Sequence, residues 1–111
     1  MEKIGYATAP KDPITGIADE GVVPEKYELS QNYPNPFNPE TVISYSIPKT
    51  EEVSLVVYNL IGEEIARLID ESKHSGNYTV EWNASNVASG IYFYRLQAGD
   101  FIQTRKMVLL K

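Results

Sequence analysis

One histidine, no cysteine and scattered carboxylates are what this sequence offers to chemistry. His74 sits in a polar stretch with no second histidine and no thiol near it, so a metal site is not expected there. It reads as an exposed turn residue. The neighbours Glu51-Glu52, Glu63-Glu64 and Asp70-Glu71 are carboxylate pairs only in sequence. On a strand adjacent side chains point to opposite faces, so none of these pairs forms a general acid–base dyad. They read as solvating groups at strand ends and edges. No Asp-rich loop is present to ligate calcium. Gly62, Gly76, Gly90 and Gly99 are isolated turn glycines rather than a phosphate-cradling run. Asn83-Ala84-Ser85 matches the glycosylation sequon, a pattern short enough to arise by chance. No hydroxyl or thiol has a partner base at catalytic spacing. The expectation is a protein that is not an enzyme and needs no cofactor and no metal.

The elements that must carry these residues are strands. The chain has 111 residues, enough for one domain. Its eight tyrosines and many Val, Ile and Thr favour extended backbone, and seven prolines and seven glycines punctuate it. A net charge of -5 offers no basic stripe for nucleic acid. No apolar run reaches the ~18 residues of a membrane-spanning segment. No apolar leader opens the chain, so an exported form is expected either to be carried by a longer precursor or to act as a signal in its own right.

Residues 1–26 read as a linker: Pro10, Pro13 and Pro24 with Gly5, Gly16 and Gly21 interrupt every element, and Ile14 to Ile17 is the one candidate edge strand. Tyr27 to Gln31 reads as a short first strand. Asn32-Tyr33-Pro34-Asn35-Pro36-Phe37-Asn38-Pro39 then reads as a stiff extended segment or edge, not a central strand, on which Tyr33 and Phe37 can bury their rings. Thr41 to Ile47 alternates with Ile43, Tyr45 and Ile47 on one face, and Val53 to Tyr58 with Val53, Leu55 and Val57 on one face. Asn59-Leu60-Ile61-Gly62 is a turn. Glu63 to Asp70 comes nearest to a helical period, yet its shortness and its place after that turn make it a strand. Ser72 to Gly76 is a polar turn. Tyr78, Val80 and Trp82 form the next strand, with Trp82 as the core indole, and Asn83 to Ser89 is a loop.

The last third reads as a closing hairpin. Gly90 to Leu96 carries Tyr92, Tyr94 and Leu96 on one face, Gly99-Asp100 makes a tight turn, and Phe101, Met107 and Leu109 share a face of the returning arm. Tyr92 stands where a tyrosine corner would stand, its hydroxyl returning to upstream backbone. Lys106-Met107-Val108-Leu109-Leu110-Lys111 is an apolar run between two lysines, suited to being grasped by charge pairing or by strand addition. Seven strands at regular spacing give an all-β fold, an immunoglobulin-like antiparallel β-sandwich.

From Tyr27 onward the chain resembles the type A C-terminal sorting domains of the type IX (Por) secretion system. The resemblance is carried by Leu29 to Pro39, by Val57-Tyr58-Asn59 with Gly62, by Trp82, by Ser89 to Leu96 and by Lys106 to Lys111. It implies a sorting domain over 27–111 behind a linker, fused to a cargo that precedes residue 1. It implies a transport signal read by translocon and shuttle proteins at the outer membrane. A sortase-like peptidase would often remove it, cutting before Tyr27. The cargo would pass through the periplasm and end at the cell surface or outside the cell. The recognition residues implied are Lys106, Met107, Val108, Leu109, Leu110 and Lys111, with Gly90 and Tyr92. A weaker resemblance is to the immunoglobulin-like module of flagellar hook-capping proteins. The alternative function is therefore a structural or carbohydrate-binding module appended to an extracellular enzyme, with Tyr6, Tyr27 and Tyr33 as candidate sugar-stacking rings.

Overall fold

Alternation of apolar and polar residues becomes seven strands in the computed structural model, which describes residues 23–111. They are β1 (Glu28–Leu29), β2 (Glu40–Ile47), β3 (Glu51–Tyr58), β4 (Glu64–Lys73), β5 (Gly76–Asn83), β6 (Gly90–Ala98) and β7 (Phe101–Leu109). Two sheets form, one of order β1-β2-β5 and one of order β4-β3-β6-β7, with every ladder antiparallel. The chain changes sheet between β2 and β3, between β4 and β5, and between β5 and β6. This is the immunoglobulin-like sandwich expected from strand count and spacing. Ile14 to Ile17 and most of the 1–26 segment lie outside the described residues.

The inner faces meet in one core. Ile43, Tyr45 and Ile47 of β2 and Trp82 of β5 face Val53, Leu55 and Val57 of β3, Tyr94 and Leu96 of β6, and Met107 and Leu109 of β7. Each large side chain buried this way contributes roughly 1.5–3 kcal/mol, and no disulfide supplements them. The β6–β7 turn is as tight as expected. Ala98 pairs directly with Phe101, and Gly99 takes φ +59° with Glu51 so close that a Cβ would meet its carboxylate. The positive φ selects glycine, whereas the Glu51 side chain is long enough to give way.

The near-helical spacing of β4 has a local cause. In the pairing with β3, Leu55 faces Ile69 and Val56 faces Arg67, and farther on Val57 faces Ala66 and Tyr58 faces Glu64. Leu68 and Ile65 are the extra residues of two bulges. Each bulge shifts the strand by one residue, so the inward positions break from strict alternation. β4 also runs on through Ser72 and Lys73, which the sequence assigned to the turn, leaving His74-Ser75 to make the corner. At the other end β1 keeps only Glu28 and Leu29 of the expected Tyr27 to Gln31 strand.

The proline-rich segment departs most from expectation. It is not extended throughout: the chain bends at Pro34 to Pro36 and again at Asn38-Pro39. Phe37 is buried at 2% exposure, whereas Tyr33 stands out at 79%. Bends between the two rings break the simple alternation, so only one of them reaches the core. Tyr33 is held by its backbone alone, exchanging both main-chain hydrogen bonds with Val42 at 2.9 Å.

Candidate functional site

The pleat divides the 106–111 run. Met107 and Leu109 point inward and are fully buried, Val108 is half-buried on the outer face, and Lys106, Leu110 and Lys111 are exposed. Tyr92 is also buried. Its hydroxyl donates to the Ala88 carbonyl at 2.6 Å, completing the expected tyrosine corner. Gly90 opens β6 opposite Leu109 with φ +152° and open space around it. Its backbone conformation, not crowding, calls for glycine there. The eight expected recognition residues thus lie in one neighbourhood, with Gly90 at its start on β6. Tyr92, Met107 and Leu109 are buried in it, and Lys106, Val108, Leu110 and Lys111 lie on its outer side.

The Pro-Asn-Pro-Phe segment closes the outer edge of β7. Phe37 forms a parallel bridge to Leu109, its N–H donating to the Val108 carbonyl and its carbonyl accepting from Leu110 N–H, each at 2.9 Å. The Val108 N–H donates to Asn35 Oδ1 at 3.0 Å, and Gln31 Nε2 donates to the Lys106 carbonyl at 2.7 Å. Arg105 Nε reaches the Leu29 carbonyl. These groups occupy the edge from Lys106 to Leu110, so strand addition is not open there. Lys111 is tied to the preceding loop: its N–H donates to Ser89 Oγ at 3.0 Å and its Nζ to the Ser85 carbonyl at 2.7 Å.

Behind the clasp, Phe37, Trp82 and Tyr92 form an aromatic cluster. Trp82 lies 5.8 Å from Phe37 and 5.9 Å from Tyr92, the latter edge-on. Tyr94, fully buried, donates to the Ser30 carbonyl at 2.6 Å and accepts from Asn32 N–H at 2.8 Å. Burial raises the Tyr94 phenol above its ordinary value, opposed by the Asn32 N–H and by Arg105. Asn32 is itself buried, with Nδ2 donating to Thr41 Oγ1 at 2.9 Å and to the Pro34 carbonyl at 3.1 Å. The sequence blocks at 29–39, 82, 89–96 and 106–111 therefore meet at one end of the sandwich.

The other candidates resolve into surface chemistry. His74 is an exposed corner residue, its Nδ1 3.4 Å from Thr50 Oγ1. Glu64 and Asp70 both pair with Arg67, Glu71 pairs with Lys73, and Glu63 Oε1 accepts from Asn59 Nδ2. Asn83 Oδ1 caps the turn at Ser85 N–H, and its Nδ2 donates to Glu40. Of the candidate sugar-stacking rings, Tyr27 stacks on Phe101 at 4.9 Å, Tyr33 is exposed, and Tyr6 lies outside the described residues.

A family profile described as the secretion system C-terminal sorting domain matches residues 31–110. The chain belongs to this family. Membership makes it a sorting signal of the type IX system, a kind of signal that implies export across the outer membrane to the surface or the extracellular space. No curated protein matches it. A solved structure of PorZ, an essential bacterial surface component of the type IX secretion system of Porphyromonas gingivalis, is similar to the sorting domain. The TM-score is 0.51 at 18% identity, over 88% of this chain and 13% of that chain. At that identity the likeness speaks for the fold alone. The clasp of Phe37 on β7 was not legible in the sorting domain's sequence. No alternation or charge pattern links positions 37 and 109.

Proposed function

We propose that this domain works as a folded, non-catalytic address. Translocon and shuttle proteins at the outer membrane read it through the end of the sandwich where Lys106, Val108, Leu110 and Lys111 are presented. Gly90, Tyr92, Met107 and Leu109 shape that end from within. A cargo fused before residue 1 travels through the periplasm with it. A sortase-like peptidase then separates the two within the 1–26 linker. The single observation that carries this reading is the convergence of the clasp, the aromatic cluster and the 106–111 run in a chain whose family match spans residues 31–110.

The test fuses residues 1–111 behind a signal peptide and a reporter in a host with a working type IX system. The reporter is expected at the cell surface or in the medium, and in the periplasm of an isogenic host without the translocon. Periplasmic retention in both hosts would refute the reading. Deleting residues 106–111 is a poor probe, because it removes Met107 and Leu109 from the core. Point changes at exposed positions separate recognition from folding.

A further inference from the structure

We infer that the outer face of β6 and β7 is the docking surface for a protein partner whose matching patch is acidic around an apolar centre. The inference rests on the sorting-signal reading and adds where the partner sits and what it is made of. Register places Tyr58, Phe93 and Lys106 in one row across β3, β6 and β7. Arg95 lies in the adjacent row, and Ile91 pairs with Val108 on the other side. Side chains two apart on a strand share a face, so these six form one continuous patch. Ile91 is 37% exposed, Phe93, Val108 and Tyr58 are half-buried, and Lys106 and Arg95 are exposed. The Arg95 guanidinium lies over the Tyr58 ring at 4.9 Å and donates to its hydroxyl at 2.6 Å, which fixes one cation against the apolar floor.

Charge points to the partner. The chain is acidic overall, yet from Gly90 onward Arg95, Arg105, Lys106 and Lys111 face only Asp100. Residues 40–83 carry eight acids against Lys49, Arg67 and Lys73. Those three cations are engaged in ion pairs, whereas Arg95 and Lys106 make none among the described residues. A flat sheet face with rings at its centre and cations beside them is complementary to a protein patch of opposite sign. An anionic membrane would be met by a cluster of several lysines, and this face offers two cations.

The reporter fusion of residues 1–111 tests this with Arg95→Glu plus Lys106→Glu, against Lys26→Glu plus Lys49→Glu as a control of equal charge change. Lys106→Glu alone covers the case in which losing the Arg95–Tyr58 contact disturbs folding. Delivery is expected to fall roughly tenfold for the double reversal and several-fold for Lys106→Glu, with little change in the control. Melting midpoints should stay within about 3 °C of the parent. An acid-to-lysine suppressor in an export component that restores the reversed fusion would support a protein partner. Equal delivery of reversed and control fusions would overturn the inference while leaving the sorting reading intact. Failure of the unaltered fusion would remove both. Charge-sensitive binding to phosphatidylglycerol vesicles with no such suppressor would assign the face to lipid instead and overturn the protein partner.

Discussion

Tyr94 joins the proline-rich segment to the closing hairpin through two hydrogen bonds made from within the core. Tyr94→Phe keeps the ring but leaves the buried Asn32 N–H and the Ser30 carbonyl without that partner. A loss of about 1–3 kcal/mol is expected in denaturant unfolding. Tyr45 is the opposite case. Its hydroxyl is buried with no protein partner among the described residues, and burial first, then Tyr78 and Glu71, pushes the phenol up to about 12. Tyr45→Phe should therefore be neutral or stabilising by up to about 1 kcal/mol at neutral pH. A phenol raised in the fold favours the neutral form, so its contribution is whole below about pH 10 and lost as pH rises through about 12. Comparing unfolding at about pH 9 and about pH 11.5 should show a loss of up to roughly 2 kcal/mol that Tyr45→Phe reduces. Tyr94, also raised, keeps some of the decline in place. The sequence revealed that these tyrosines face inward, because alternation does so directly. It did not reveal which hydroxyl is satisfied, since that depends on a partner more than 60 positions away.

At the scale of elements, the proline-rich segment and β7 behave as one unit. Phe37→Ala removes a buried ring beside Trp82 and loosens the main-chain clasp, and should cost about 3–5 kcal/mol with a changed Trp82 emission. Tyr33→Ala should fall within about 0.5 kcal/mol of the parent, because that ring is in solvent. Two aromatics four apart in a proline-rich run looked alike in sequence, and the bends between them decided their fates. β4 shows the same limit. Its apolar residues at 65, 66, 68 and 69 gave a mixed period, and bulges, which depend on the neighbouring strand, explain it. Val56 lies on the outer face yet is 3% exposed, set between Arg67 and Arg95 in the register. Long cationic stems shield such positions, and alternation alone says only that Val56 lies on the face opposite Val53, Leu55 and Val57.

For the whole molecule, strand count and hairpin pairing were readable, but the order β4-β3-β6-β7 was not. Alternation tells a strand which face is wet and says nothing about its neighbour. That order places β3 and β6 in the middle of the larger sheet. Amide exchange is expected to be slowest at Val53 to Val57 and Tyr92 to Leu96, and faster in β1 and in the bulged β4. Four of the five blocks of sequence that carry the resemblance, 29–39, 82, 89–96 and 106–111, meet in the candidate site. Their convergence needed the fold, because only packing brings position 37 onto position 109.

The occupied edge from Lys106 to Leu110 has a further bearing on how copies of this chain meet at high concentration. Unpaired strand margins are templates for fibril growth. Here one is plugged by Phe37 and Asn35, and the opposite margin is kinked by two bulges and studded with charge. Dense solutions should stay free of thioflavin-binding fibres, and Phe37→Ala, by unplugging one margin, should shorten the lag before they form.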